Sequence, residues 1–199
     1  MCGIVGFVNY KKDIKNPVSI LNKMNNSSIN RESDEEGTHT SSPVYLSYKK
    51  SGATSQIDNF KPMTTTYNEN EYSIVCSGQI YNILEIKDTL IENGFYFKTN
   101  SDIEVLLNAF IFYGYDIVKH INGNFVFAIW NKNKEELFLA RDHFGIKPLF
   151  FTITDDTLIF ASELKSIFKF PTVKKTIDSA GICELFRNWS STYPWYNCF

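Results

Sequence analysis

The sequence predicts an α+β protein in which two antiparallel sheets are covered by helices. Strand-like runs lie at both ends of the chain, and helical patterns lie between them. The last four strand-like runs are joined by short polar turns, which is typical of antiparallel pairing because a parallel pair needs a long crossover. Helices packed on the sheets then give the simplest layering around a hydrophobic core.

Each predicted strand is a short apolar or alternating run that ends at turn-forming residues. The runs are residues 3–9, 44–48, 72–76, 125–130, 136–141, 148–152 and 157–162. The run at 72–76 stops at Ser77-Gly78-Gln79, which predicts a glycine turn at that point. The polar stretches 25–42 and 49–67 are predicted to be loops.

Helices are predicted where apolar residues recur at three- and four-residue spacing. They cover about 17–26, 83–93, 101–114, a short segment before Asn122, and 178–188. Ser101 and Glu104 have the spacing of a capping box, in which each side chain binds the backbone N–H of the other residue. The aromatic residues near the end of the sequence indicate a missing neighbour.

The composition excludes several classes of function. A net charge of −2 over 199 residues provides no field for nucleic acid or an anionic membrane. The four cysteines lack CxxC spacing and the three histidines are scattered, so no metal site is expected. No apolar stretch reaches about 20 residues and no signal-peptide pattern is present, so the expected compartment is the cytoplasm, where cysteines stay reduced.

Cys2 follows the initiator methionine directly and is a candidate nucleophile. If Met1 is removed, Cys2 carries both a thiol and an α-amine whose ordinary pKa is roughly 7.7–8.0. That amine can act as the base that activates the thiol, so no histidine is needed. The alternative is that Cys2 is only a small apolar residue at the start of the strand that contains Ile4 and Val5.

Several motifs resemble the glutaminase domain of asparagine synthetases. They are Met-Cys-Gly-Ile (1–4), Gly-Gln-Ile-Tyr-Asn (78–82), Ser-Asp-Ile-Glu-Val (101–105), Gly-Asn-Phe-Val-Phe-Ala-Ile-Trp (123–130), Leu-Phe-Leu-Ala-Arg-Asp-His-Phe-Gly-Ile-Lys-Pro-Leu-Phe-Phe (137–151) and Phe-Ala-Ser-Glu-Leu-Lys (160–165). Such domains are class II glutamine amidotransferases with an N-terminal nucleophile. The resemblance covers residues 1–170 and leaves 171–199 as a linker or the start of a synthetase domain.

The resemblance implies a fold and a reaction. The fold is a four-layer αββα sandwich of the N-terminal nucleophile hydrolase type. In the reaction, Cys2 attacks the side-chain amide of glutamine and releases ammonia for a synthetase partner domain. ATP and magnesium belong to that partner, whose Ser-Gly-Gly-Leu-Asp-Ser type of loop is absent here. This domain itself is expected to need no cofactor, and a homodimer is a further possibility.

The resemblance also implies the groups that would stabilise the oxyanion. The family uses an Asn-Gly pair, and this chain has Ser77-Gly78 in its place. Gly78 keeps the backbone N–H, whereas Ser77 offers a hydroxyl on a shorter arm. The alternative for Gly78 is that it serves only the turn.

Three further residues correspond to the family's substrate contacts. Lys50 takes the place of an arginine for the α-carboxylate, Gln79 replaces a glutamate, and Asp102 matches an aspartate that binds the α-ammonium. Lysine lacks the planar fork of arginine, so its grip on a carboxylate differs. The alternatives are a solvated Lys49-Lys50 pair and a first-turn helix acid at Asp102.

Other motif positions differ or have structural roles. Tyr48 replaces a family histidine, and Asn30-Arg31-Glu32-Ser33-Asp34 stands where the family has His-Arg-Gly-Pro-Asp. Arg141 and Asp142 match the family and are expected to form a buried ion pair that organises the sheet.

The altered pocket leaves two other functions open. One is a catalytically impaired scaffold or docking module for a synthetase-like ligase. The other is a pocket for a different amide, because losing the arginine fork and one carboxylate removes charge-assisted contacts worth about 1.5–3 kcal/mol each.

Overall fold

The computed structural model describes residues 2–28, 35–50 and 62–176, with the backbone alone at Cys2, Ser28, Glu35 and Lys50. The predicted helix at 178–188, the motif at 30–34 and most of the predicted loop at 49–67 lie outside these residues. No helix in the described ranges has the length and apolar character that a membrane crossing needs.

The described strands form two antiparallel sheets. The first sheet has the order β2-β3-β1-β9-β8 and contains β1 (Cys2–Asn9), β2 (Glu35–Ser41), β3 (Val44–Lys50), β8 (Phe150–Thr154) and β9 (Thr157–Ala161). The second sheet has the order β4-β5-β6-β7 and contains β4 (Met63–Tyr67), β5 (Asn70–Ile80), β6 (Gly123–Asn131) and β7 (Glu136–Arg141).

The helices lie on the outer faces of the two sheets. They are α1 (Pro17–Ser28), α2 (Ile83–Glu92), α3 (Asp102–Tyr113) and α4 (Leu164–Ile167), with a 3-10 helix at Gly114–Lys119. Leu21 and Met24 of α1 pack on Phe7 of the first sheet. Leu106 of α3 belongs to the core of the second sheet. The predicted α+β sandwich, with helices outside two antiparallel sheets, is confirmed.

The strand β6 is buried on both of its faces. Phe125 and Phe127 face the helices, whereas Val126 and Trp130 face the first sheet, where they meet Ile4 and Leu46. A strand that is buried on both faces is apolar at successive positions, which is the pattern that identified it in the sequence.

Two strands were wrongly predicted as loops. β2 lies inside 25–42 and β4 lies inside 49–67, and each forms an edge of its sheet. Both are rich in polar residues, and alternate side chains of β4 are exposed. Hydrophobic periodicity fails here because an edge strand obtains its hydrogen bonds from its neighbour while many of its side chains remain in water.

The turn predicted at Ser77-Gly78-Gln79 is also wrong. β5 continues to Ile80 and stays paired with β6 throughout, with Gly78 opposite Phe125. Gly78 has a φ of 132°, and a Cβ at this position would lie 2.0 Å from the carbonyl oxygen of Asn124. The glycine is needed for close approach between strands and not for chain reversal.

A histidine joins the edges of the two sheets. His39 of β2 lies 3.2 Å through Nε2 from the hydroxyl of Ser73 and 3.4 Å through Nδ1 from the hydroxyl of Thr64. The two hydroxyls are 3.1 Å apart. Burial lowers the pKa of His39, an effect that the nearby Glu71 carboxylate opposes and the Lys132 ammonium reinforces.

Acid should weaken the fold through His39. Its pKa is lower in the folded protein than the ordinary 6.5, so the unfolded chain takes up the proton first as the pH falls. Stability is therefore fully present above about pH 6.5 and declines as the pH falls from there through the folded pKa. Urea unfolding of wild type and His39→Gln between pH 8 and pH 5 tests this. If the free energy of unfolding of the wild type fell with pH no more steeply than that of the variant, the prediction would be contradicted.

Candidate active site

Cys2 is the first residue of β1, which is a central strand of its sheet. Its Cα lies opposite that of Lys50 at the end of β3, so the candidate nucleophile and the candidate carboxylate-binding lysine belong to neighbouring strand ends. The roles of the two side chains stay predictions. Pairing with β9, on the other side of β1, begins only at Val5, which faces Ala161.

Ser77 contributes a buried hydroxyl between the sheets. It lies opposite Val126 in the β5–β6 register, on the face of β5 that packs toward the first sheet. The Ser77 side chain is 0% exposed, and among the described residues its hydroxyl oxygen has no hydrogen-bond partner. Leaving a buried hydroxyl unsatisfied costs about 1–3 kcal/mol, so such a group points to a functional use or a bound molecule.

Gly78 follows Ser77 along the strand and is half-buried. The collision that any Cβ would make with the backbone of β6 explains why glycine is required there. The alternative that Gly78 serves only a turn is therefore wrong, because strand packing and not chain reversal requires the glycine. A catalytic role for its N–H is compatible with this and stays a prediction.

Tyr48 links the end of β3 to the second sheet. Its side chain is fully buried and belongs to the same core cluster as Cys76 of β5 and Ile103 of α3. Those two residues are the sequence neighbours of Ser77 and Asp102. The fold thus brings together the strand that ends in Lys50, the strand that contains Ser77 and the start of α3.

Lys49 is not solvated, so that part of the alternative for the Lys49-Lys50 pair is wrong. The side chain is 7% exposed, and its Nζ donates a 3.4 Å hydrogen bond to the side-chain oxygen of Asn26 on α1. Strand alternation places Lys49 on the helix-facing side of the sheet. A role for Lys50 in binding substrate stays a prediction.

Asp102 is the first residue of α3 and is half-buried, whereas the Gln79 side chain is exposed. A carboxylate in a helix's first turn is stabilised by the helix dipole, which keeps both interpretations of Asp102 open. The exposed position of Gln79 at the end of β5 leaves it accessible to a ligand.

The predicted capping box at Ser101 and Glu104 does not form. Ser101 makes no side-chain cap hydrogen bond. The Glu104 carboxylate instead accepts hydrogen bonds from the backbone N–H groups of Lys98 and Thr99, at 2.8 and 2.7 Å, and from the Thr99 hydroxyl at 2.5 Å. Burial raises the pKa of Glu104, but the hydrogen bonds from Thr99 and Lys98 outweigh it, so the net pKa is lowered.

The predicted ion pair between Arg141 and Asp142 is also wrong. Asp142 is buried, and its two carboxylate oxygens accept hydrogen bonds from the backbone N–H groups of Ile146 and Lys147, each at 2.9 Å. Its own N–H donates to the carbonyl of Phe125. Asp142 therefore fixes the loop that leaves β7, because carboxylates are good acceptors for a turn of backbone N–H groups.

A residue of the 78–82 motif has a role that motif matching missed. Asn82 donates to the carbonyl of His120 and accepts from the N–H of Asn122, both at 2.9 Å. This amide joins the end of β5 to the start of β6. Its presence in the motif was the available signal. In the described residues, no group of three or more His, Cys, Asp or Glu could hold a metal ion.

A family model and curated relatives both place this chain with glutamine amidotransferases. A sequence model of the glutamine amidotransferase domain matches residues 1–199. The chain is 33% identical over 194 residues to asparagine synthetase [glutamine-hydrolyzing] 3 of Bacillus subtilis, which covers 98% of this chain and 32% of that protein. It is 34% identical to asparagine synthetase [glutamine-hydrolyzing] 1 of the same organism, over 84% of this chain and 26% of that protein.

The structural comparison agrees on the fold. Glutamine phosphoribosylpyrophosphate amidotransferase from B. subtilis superposes with a TM-score of 0.67 at 20% identity, over 85% of this chain and 43% of that one. The chain spans between about a quarter and a third of the length of the first two curated relatives. Since the family match covers all 199 residues, the chain belongs to the glutamine amidotransferase domain family.

Proposed function

We propose that the chain hydrolyses glutamine to glutamate and ammonia through a thioester on Cys2. The observation that carries the proposal is the fully buried Ser77 hydroxyl, which has no hydrogen-bond partner among the described residues and lies on a strand that faces the sheet of Cys2. A hydroxyl held without a partner between the sheets is preorganised to donate to a charge that develops during a reaction.

The reaction balances without a cofactor. The α-amine of Cys2 takes the thiol proton while the sulfur attacks the side-chain carbon of glutamine. The tetrahedral intermediate collapses with transfer of that proton to the leaving nitrogen, so ammonia departs and a glutamyl thioester remains. Water then attacks the thioester, which releases glutamate and restores the thiol.

The oxyanion would be held by Ser77 and Gly78. The backbone N–H of Gly78 supplies one donor and the Ser77 hydroxyl supplies the other. Loss of one such donor in other enzymes costs about 2.7–4 kcal/mol of transition-state stabilisation. Because Ser77 is shorter than the asparagine of the family, it would stabilise the oxyanion less strongly.

The substrate's charged groups would meet Lys50, Asp102 and Gln79. Asp102 at the start of α3 would bind the α-ammonium, and Lys50 would bind the α-carboxylate as a point charge. Gln79 adds an amide where the family has a second carboxylate. These contacts predict weak binding, with KM raised more than kcat is lowered.

Ammonia released here would be used by a synthetase-type partner domain. The asparagine synthetases that resemble this chain are about three times its length, so the proposal places ATP and magnesium chemistry outside residues 1–199. The proposed compartment is the cytoplasm, because Cys2 must stay reduced. The proposal also includes a homodimer.

The test is glutamate release from glutamine by protein whose intact mass shows that Met1 is absent. Wild type should turn over and Cys2→Ala should fall to the uncatalysed background, because no thioester can form. Cys198→Ala is the matched control and should retain turnover. Equal release by wild type and Cys2→Ala would refute the proposal.

A scaffold function is the second candidate, and the replacement of a family glutamate by Gln79 and the short Ser77 arm favour it. Stoichiometric labelling of Cys2 by a glutamine-like electrophile distinguishes the two candidates. A labelled Cys2 requires a formed pocket, whereas a scaffold would give no more labelling than Cys2→Ala.

A further inference from the structure

We infer that Ser162 is the positioning residue for the Cys2 nucleophile. The inference rests on the proposed function, and it concerns how the first residues of β1 are held in place. Ser162 follows directly after β9 and contacts Ile4, two residues from Cys2. It lies outside every candidate site that the sequence predicted.

The contact between Ser162 and Ile4 replaces the last rung of the β1–β9 ladder. The register places Val5 opposite Ala161 and Gly6 opposite Phe160, so Ile4 falls opposite Ser162. An antiparallel pair at a hydrogen-bonded position exchanges two N–H···O bonds between backbones. Ser162 N–H does donate to the carbonyl of Ile4 at 2.8 Å, which is one of the two.

The second bond of that rung uses a side chain. The N–H of Ile4 donates to the Oγ of Ser162 at 3.0 Å. The chain turns into α4 directly after Ser162, with Ser166 N–H already bonded to the carbonyl of Glu163. The hydroxyl therefore does the work that a backbone carbonyl does in a regular pair, and a residue without an oxygen at the γ position would lose that bond.

Burial makes this bond matter. Ile4 is 1% exposed and Ser162 is 4% exposed. Water has little access to replace the hydroxyl, and a buried N–H without a partner is unfavourable. Ser162 also packs over Gly3, because a Cβ at Gly3 would lie 3.3 Å from the Cβ of Ser162. One side chain thus fixes both residues that follow Cys2.

The position of Ser162 in the sheet allows it to hold the start of β1, which contains Cys2, against β9. Cys2 and Gly3 pair with Lys50 and Lys49 of β3 on one side. On the β9 side, Ser162 is the last attachment before the nucleophile within the described part of the chain. Without it, the start of β1 can separate from β9 as a frayed end. A displacement of about 1 Å at reacting atoms can cost about 100-fold in rate.

The test compares Ser162→Ala with Ser162→Thr in protein that lacks Met1. Ser162→Thr keeps the hydroxyl and is the rescue variant. Ser166→Ala is the matched control, since Ser166 is 0% exposed and its hydroxyl lies 3.3 Å from that of Ser27 on α1, so this substitution removes a buried hydroxyl that contacts a helix. The readouts are hydrogen exchange of the Ile4 amide, the rate of Cys2 alkylation by iodoacetamide, and kcat and KM for glutamine.

Ser162→Ala should speed Ile4 exchange, change the Cys2 alkylation rate and lower kcat by about 10–100-fold with little change in KM. Ser162→Thr should restore all three, and Ser166→Ala should match wild type. Unchanged kcat and Ile4 exchange in folded Ser162→Ala, or equal losses in Ser166→Ala, would overturn the inference. If Ser162→Ala does not fold, Ser162→Cys replaces it, because the thiol has a similar volume but is a weaker acceptor. Ser162→Cys should then speed Ile4 exchange and lower kcat, and unchanged values would overturn the inference.

Failure of the proposed function would look different. Wild type would then release no glutamate, and Ile4 exchange and Cys2 alkylation alone would decide the role of Ser162. In that case, unchanged exchange and alkylation in Ser162→Ala overturn the inference, and altered values that Ser162→Thr restores support it.

Discussion

Gly78→Ala is expected to destabilise the protein by about 3–5 kcal/mol. Two costs combine at this position. Its φ of 132° is rarely adopted by a residue with a side chain, which costs about 1–3 kcal/mol. The new Cβ would also lie 2.0 Å from the carbonyl oxygen of Asn124 and 2.7 Å from the Cα of Phe125, so β5 and β6 must separate.

Alanine substitutions at two other glycines measure the conformational cost and the steric cost separately. Gly94 has a φ of 85° with nothing within 4 Å of a built Cβ, so Gly94→Ala reports the conformational cost alone. Gly123 has the collision, with its Cβ 2.1 Å from the carbonyl oxygen of Gln79, but no positive φ. Gly123→Ala therefore reports the collision, and Gly78→Ala should cost more than either.

Thermal and urea unfolding of the three variants give the comparison. For a protein of this size, about 1 kcal/mol corresponds to a shift of about 2–4 °C in Tm, so Gly78→Ala should lower Tm by roughly 10 °C. A cost at Gly78 no larger than that at Gly94 would show that the strands relax freely and that the close approach of β5 and β6 is unimportant.

The sequence predicted the elements whose buried faces produce a clear pattern of apolar residues. β6 is apolar on successive positions because both faces are covered, and α2 has apolar residues on one face with Gly94 after its end. β2 and β4 were missed because an edge strand with polar side chains has the composition of a loop. β2 and β4 become strands because they pair with β3 and β5 in the folded protein, which local composition does not reveal.

The candidate site was predictable only where a motif names the residue. Motifs nominate Cys2, Gly78 and Asp102, whose roles stay predictions, but the motif did not reveal that Gly78 is fixed by the backbone of β6. Ser162 and Asn82 act through partners 158 and up to 40 residues away, respectively. Both residues belong to motifs quoted from the sequence, but no local pattern predicts a hydrogen bond between positions so distant in sequence, so their roles become visible only in the folded chain.

Glu104→Ala is expected to cost about 2–3 kcal/mol of stability. Glu104 is 6% exposed, and its carboxylate accepts the N–H groups of Lys98 and Thr99 and the Thr99 hydroxyl. Charge-assisted hydrogen bonds contribute about 1.5–3 kcal/mol each, but water can partly replace them because Lys98 and Thr99 are themselves exposed. The segment 98–101 leads into α3, so its loosening should also displace Asp102 and raise KM for glutamine.

The pH dependence of Glu104 gives this prediction a second readout. Its pKa lies below the ordinary 4.5 in the folded protein, so its contribution is fully present above about pH 4.5 and is lost as the pH falls from there through the folded pKa. Glu104→Gln should remove that part of the acid limb while keeping the side-chain volume. Glu85, an exposed acid in the first turn of α2, is the matched control, and Glu85→Gln should cost less than about 1 kcal/mol. Equal losses at the two positions would mean that the helix dipole, and not the hydrogen bonds to residues 98 and 99, explains the contribution of Glu104.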